Sequence, residues 1–359
     1  LHICRRLASA RLPFVLPRQT PRCFLYVVAN TSFPSKRVVR LGFIIGFIAL
    51  IGVLLSGLAA YRVHDQELAI DGIALARAID VHASLVQDRL TERELLARVA
   101  SGLFRSPSVV KANMLEPLRA AIYAFKTDFV LSYWIARLRP ADLPMAQAEL
   151  KSAGFTNPTI RDFDDQPLDI KAIDKPIDVL MDVEPRSPDT VGFPGRAYDR
   201  HSVIGPMLTQ AALTGKPVAS DPIPLLRQNG PIGLVLASAI LVEGTTDPAG
   251  FVAFSYELAS LMLVNDDRSL FSVVLKNPAD ANDEYVANDQ GALTLRDLKQ
   301  GDPAPSVVRT VTFGGRDWSL GYYSKNNAQH RAQQTAIIVA AIGLALTGII
   351  CGLFGYVAY

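Results

Sequence analysis

The chain has 359 residues, half of them hydrophobic, and a formal net charge of +2. That small sum conceals a split: residues 1–40 hold eight Lys and Arg and no acid, whereas all 34 Asp and Glu fall within 62–335. The split excludes a uniformly basic nucleic-acid binder and fits a membrane protein with a soluble segment between two anchors.

Residues 1–40 read as a basic cytoplasmic N-terminal segment. The composition is also that of a transit peptide, and the first methionine is Met114. An over-extended gene start, a non-AUG start and a piece of a longer chain therefore stand beside the cytoplasmic tail. Next comes 41–61, with 21 uncharged, mostly apolar residues. At about 1.5 Å per residue it covers roughly 30 Å, the hydrocarbon thickness of a bilayer. Its apolar core exceeds the roughly 7–15 residues of a signal peptide, so a retained transmembrane helix is expected. Lys36, Arg37 and Arg40 precede it, which predicts a cytoplasmic N-terminal side and export of 62–335. A second uncharged apolar run, 336–359, returns the chain inward. The expected protein is thus a two-pass plasma (inner) membrane protein with both termini cytoplasmic and the lipid bilayer as one partner.

Within the exported segment, Leu68, Leu75, Ile79, Val86 and Leu90 recur at spacings of 7, 4, 7 and 4. This predicts a long stalk helix over 62–104. The stripe would pair with a second copy in a homodimer, or pack along its own domain, or do both. A helix is predicted over 109–131 and a strand over 131–138. A short helix is predicted over 140–155, closed by Gly154. Further on, strands are predicted at 177–183, 232–242 and 250–256, a loop at 192–202, a helix over 206–213 ended by Gly215, and a turn at 244–248. Strands at 270–275, 306–313 and 316–323 follow, the last two joined by Gly314 and Gly315, a strong hairpin signal. The pattern divides into a distal unit at 105–264 and a membrane-proximal unit at 265–325. The predicted fold class is α+β. The stretch 176–264 has the rhythm of a small sensor domain, and a ligand would sit between its strands and its loop.

The cysteines are Cys4, Cys23 and Cys351, so 62–335 has neither a disulfide framework nor a cysteine metal site. The histidines, His2, His64, His82, His201 and His330, have no second ligand at metal spacing, and no metal or cofactor is implied. Asp199, Arg200, His201 and Ser202 cluster in sequence. Adjacent loop residues diverge, however, so a loop held by hydrogen bonds is expected there rather than a triad. Asp162, Asp164 and Asp165 lack the glycine and closing glutamate of a calcium loop and read as an exposed acidic turn. No phosphate-binding glycine motif is present.

The order of these features resembles the CHASE domain, the extracytoplasmic sensor of many bacterial histidine kinases and cyclases and of plant cytokinin receptors. The resemblance rests on several runs. Phe104 to Val109 and the pair Tyr133, Trp134 are similar to the family's helix end and aromatic strand. The strand running into Pro185, and the run Gly195, Arg196, Ala197, Tyr198, Asp199, resemble its acidic-Pro turn and Gly-x-Asp element. The segment from Ser220 to Leu226, the strands around Gly233 and Gly250, and the Trp318 hairpin complete the match. It covers roughly 65–325 and departs from the family between Arg200 and Pro206. What it implies is a long stalk helix with two PAS-like α/β units, flanked by two transmembrane helices. A small-molecule ligand would bind in the distal unit, near Asp189, Tyr198, Asp199, Ser220 and Leu236. The expected function is a receptor input module passing a helix displacement inward, with no enzymatic output of its own. A kinase or cyclase would act in trans or downstream, as in the front part of a histidine kinase or cyclase. A doubly anchored exported enzyme and a non-sensing scaffold are the alternatives.

Overall fold

A computed structural model describes residues 36–104, 115, 129–226, 230–242, 247–262, 270–276, 278, 283–287, 293–297, 305–325 and 328–358. Helix α1 runs unbroken over Lys36–Leu103. The apolar run and the stalk are therefore one helix, and no proline interrupts them. The last helix, α5, is Ala328–Ala358. Val39–Leu103 and Ala328–Val357 are each long and apolar enough to cross a membrane.

The chain divides into two compact units, 1–60 with 338–359, and 61–337. In the first, small residues let two helices approach. A Cβ on Gly52 would strike Thr347, and one on Gly343 would strike Ser56. Both hydroxyls are satisfied within their own helices: Ser56 Oγ donates to Gly52 O at 2.7 Å and Thr347 Oγ1 to Gly343 O at 2.8 Å. Close contact between small residues is how helices associate where no hydrophobic effect drives them.

The second unit holds two antiparallel sheets. Its first strands are β1, Phe129–Leu138, and β2, Ile177–Glu184, with α2, Leu143–Ser152, between them. Helix α3, Ile204–Thr214, ends at Gly215 with φ 62°. Then come β3, Val218–Ala219, β4, Ile223–Pro224, β5, Ile232–Ile240, β6, Gly250–Glu257, and α4, Leu258–Met262. The sheet order is β2-β1-β6-β5-β3, with β4 also paired to β5. The second sheet comprises β7, Phe271–Lys276, β8, Asp283–Ala287, β9, Leu293–Asp297, β10, Val307–Phe313, and β11, Arg316–Ser324. Its order is β10-β11-β7-β8-β9. Gly314 and Gly315 join β10 to β11 with φ 59° and 75°, the left-handed pair a two-residue hairpin turn requires.

Both faces of the first sheet are covered. Trp134, Leu234, Leu236, Val252 and Phe254 share a core with Ile79, Val86 and Leu90 of α1, whereas Tyr133, Ile135, Val235, Ala237 and Phe251 pack with α3. From Leu75 to Leu90 the apolar stripe of α1 is thus spent inside its own chain. A polar row seven residues apart on the same helix meets β10, the edge strand of the second sheet. Arg309 Nε donates to Asp80 Oδ1 at 2.8 Å. The Gln87 amide donates to Thr312 O at 3.0 Å and accepts from Thr312 N at 2.8 Å. Gly314 N donates to Glu94 Oε1 at 2.6 Å. Side chains thereby satisfy backbone groups that an edge strand would otherwise present to another chain.

Three expectations need correction or fall outside the description. Residues 129–131, read as the end of a helix, open β1; the rest of that helix, except Leu115, lies outside the described residues, as does most of the turn at 244–248. Strands β3, β4, β8 and β9 and helix α4 went unread, because segments of two to five residues carry no resolvable period. Leu90 is 5% exposed and Leu95 57%. Leu90→Ala is therefore expected to lower stability by about 2–4 kcal/mol and Leu95→Ala by less than about 0.5. Denaturant titration of the detergent-solubilised chain checks this, and equal losses would refute the burial assignment for α1.

A candidate ligand cavity on the face away from the stalk

On the α3 side of the first sheet lies a cavity of about 380 Å³. Tyr133 of β1 and Val235 of β5 form its floor, and Ile204 opens α3 at its side. Phe163, Phe193, Arg196, Tyr198 and His201 come from loops, and 223–226 closes the remaining edge. The size suits a small organic molecule.

The loop wall is built around Arg161, whose side chain is 1% exposed. Its Nε donates to Asp165 Oδ1 at 2.8 Å. Its Nη1 donates to the carbonyls of Asn157, Thr159 and Pro194 at 2.9–3.0 Å, and its Nη2 to Gly192 O. Backbone pairing adds to this: Arg161 N donates to Gly195 O and Ala197 N to Arg161 O. A buried cation is tolerable only when its donors are filled in this way. A Cβ on Gly195, whose φ is 97°, would collide with Thr159 O and Arg161 Nη1 at 2.6–2.7 Å, so this position requires glycine.

Asp165 also binds Arg196 through both oxygens, at 2.9 and 2.8 Å. The two guanidiniums, Arg196 foremost, hold its carboxyl below the usual range against the opposing effect of burial. The Arg196 guanidinium lies 5.0 Å from the Phe193 ring and 5.4 Å from the Phe163 ring. Phe163 meets His201 edge-on at 4.1 Å and Tyr198 at 5.7 Å.

His201 caps α3: its Nδ1 accepts from Val203 N at 3.1 Å and Ile204 N at 3.0 Å. The neutral ring therefore carries its proton on Nε2. Burial pushes the imidazole pKa down, with Asp164 opposing. Burial also raises the Tyr198 hydroxyl to about 12, with Arg196 and Arg161 opposing. It raises Tyr133 too, whose hydroxyl donates to Ser255 Oγ at 3.3 Å.

Of the five residues singled out from sequence, Tyr198 alone lines this cavity. Asp199 follows it in a short 3-10 helix, half-buried, and its carboxylate accepts from Asp178 N at 3.4 Å. Burial, then Asp178, raises its pKa. Ser220 is buried, with its Oγ donating to Asp221 O at 2.8 Å and accepting from Val235 N at 2.9 Å. Leu236 points into the core shared with α1; its neighbour Val235 faces the cavity. Asp189 is exposed in the turn after β2. The loop reading of His201 agrees with its hydrogen bonds. Arg196, Phe163, Phe193 and Tyr133 were missed as lining residues; Arg196 at least stood inside the run singled out around Tyr198. Among the described residues no cluster of His, Cys, Asp and Glu could hold a metal.

No family model matches the chain, and no curated protein does. Solved structures do. The chain is similar to the ligand-binding domain of the Pseudomonas aeruginosa amino-acid chemoreceptor PctC in complex with GABA. Identity there is 15% over 72% of this chain and 99% of that one, with a TM-score of 0.43. It is also similar to the ligand-binding domain of the Pseudomonas fluorescens chemoreceptor CtaA in complex with L-isoleucine, at 17% identity over 74% and 98% of the chains, TM-score 0.39. A third is the periplasmic sensory domain of the Campylobacter jejuni chemoreceptor Tlp1, at 11% identity over 69% and 93%, TM-score 0.43.

Two outcomes follow from the loop wall. Arg161→Leu, which strands at least four carbonyls, is expected to cost about 3 kcal/mol or more in denaturant titration; a loss under about 1 would count against its central place. For His201, the depressed folded pKa means that the unfolded chain takes up the proton first as pH falls. Stability conferred by the neutral ring is then complete above about 6.5 and declines below it, down to the folded pKa. His201→Asn, which keeps an acceptor without titrating, should flatten the decline in thermal midpoint between about pH 7 and 5. An unchanged slope would remove His201 from that role.

Proposed function

We propose that the chain is the input module of a transmembrane receptor and that the cavity binds a small organic acid with an apolar body. One observation carries the ligand class. Three lining residues can donate to a ligand: Arg196, beyond the two bonds its guanidinium makes to Asp165, His201 through Nε2–H, and Tyr198 through its hydroxyl, while the Tyr133 hydroxyl is turned to Ser255. Among the described residues no carboxylate lines it. A carboxylate would find donors there, whereas an ammonium would lose its water for little return. The rings of Tyr133, Phe163, Phe193 and Tyr198 supply apolar surface for the rest of the molecule.

The remaining roles follow this reading. The two sheets act as two PAS-like units of the CHASE type, the first binding and the second membrane-proximal. The segment 62–335 lies outside the inner membrane with both termini in the cytoplasm. Ser220 supports the floor through Val235, while Asp189, Asp199 and Leu236 lie outside the lining. Binding shifts the population between two arrangements of α1, which runs through both units, and a homodimer relays it to a kinase or cyclase. No catalytic step is assigned to the chain: His201 Nδ1 already accepts two amides, which leaves it no lone pair for base work.

The test is calorimetric titration of the detergent-solubilised chain with phenylacetate, phenylacetamide, phenethylamine and L-phenylalanine. Phenylacetate is expected to bind best, and Arg196→Met to weaken it by about tenfold or more. Binding of the amine in preference to the acid would overturn the ligand class.

A further inference from the structure

The cavity edge 223–226 is the far half of a strap, 218–226, along the rim of the first sheet. Its hold on the sheet is confined to short stretches, with Ser220 N donating to Val235 O at 2.8 Å beside two brief strand pairings. Strands β3 and β4 are two residues each and pair with β5 at separate places, Ala219 opposite Leu236 and Ile223 opposite Gly233. Further ties lie outside the cavity. Ala219 N donates to Gly314 O at 3.1 Å, at the tip of the β10–β11 hairpin. Gly314 N in turn donates to Glu94 Oε1 of α1 at 2.6 Å. Arg316, two residues along, forms an ion pair with Asp221 of the strap. Ser220 Oγ connects Asp221 O to Val235 N on the cavity floor. The fit at the tip is tight, since a Cβ on Gly314 would collide with Ala219.

Val235 of the cavity floor is therefore hydrogen-bonded to Ser220, the strap backbone joins Ser220 to Ala219 on one side and to 223–226 on the other, and hydrogen bonds continue from Ala219 through Gly314 to Glu94 of the helix. We infer that Glu94 and Arg316 are positioning residues of the cavity, coupling the placement of 223–226 to the docking of the hairpin on α1. The inference rests on the cavity being the ligand site and gives that site its regulation. A ligand that shifts the strap loosens or tightens the Glu94 contact, and a shift of α1 alters the cavity by the same free energy. The physical warrant is this contiguous chain of contacts, not proximity alone.

Hydrogen exchange by mass spectrometry on the solubilised full chain, without ligand, decides the coupling. Glu94→Ala and Arg316→Gln are each expected to speed exchange in peptides covering 218–226 by about three- to tenfold, leaving β1 unchanged. Glu94→Gln, whose amide oxygen can accept from Gly314 N, should restore protection, as should the paired exchange Asp221→Arg with Arg316→Asp. Unchanged strap exchange in both single variants, or faster exchange spread equally over β1, would overturn the inference. Phenylacetate, added next, should alter exchange at the hairpin tip of the parent chain. If phenylacetate does not bind the parent chain, the ligand reading fails, while the exchange of 218–226 still decides the coupling.

Discussion

The cavity wall depends on one buried cation. Arg161 sits in a stretch without regular secondary structure, yet it is among the largest fully buried side chains of the protein. Its guanidinium gathers carbonyls from 157–159 and from 192–194, two segments that no sheet ladder joins. Asp165 neutralises it and passes the constraint on to Arg196, which is thereby held against Phe163 and Phe193. Burying the charge is tolerable because each of the three guanidinium nitrogens has an acceptor and one of the acceptors is a carboxylate. Of the rings that line the cavity, Phe163 and Phe193 pack on that arrangement, whereas β1 places Tyr133.

A second constraint comes from α1. A helix packed along a sheet normally buries one apolar stripe, and this one does so with Ile79, Val86 and Leu90. It also carries Asp80, Gln87 and Glu94 at heptad spacing, and these meet Arg309, Thr312 and Gly314 at the edge of the second sheet. Apolar burial resists separation but tolerates sliding, because it is not directional. Hydrogen bonds to particular backbone groups penalise sliding, so the polar row sets the register between helix and strand.

Much of the fold was legible in the sequence because its signals are local. An uncharged run of sufficient length, a proline-free helical stripe, strands bounded by Gly and Pro, and the Gly314 and Gly315 turn each depend on a few neighbouring residues. The candidate site was far less legible. Strand β5 is buried on both faces, so alternation could not tell Val235 from Leu236. A single-residue choice of register reverses which one faces the cavity. Asp165 fell in what read as an exposed acidic turn and Arg161 stood just outside it, where the partner of a charge cannot be named from spacing.

By itself, then, the sequence determined the two apolar helices, the charge asymmetry about them, the α+β class and the positions of the longer strands, all consequences of transfer free energy and backbone propensity over short windows. Only the tertiary structure decided that Arg161 is buried, that Arg196 lies between two rings, that His201 caps α3, and that the hairpin tip touches both Ala219 and Glu94. The His201 cap spans two or three positions, but the other arrangements bring together residues from about 30 to more than 200 positions apart. They exist only once the sheets and α1 have packed, because packing alone sets which distant side chains share a space.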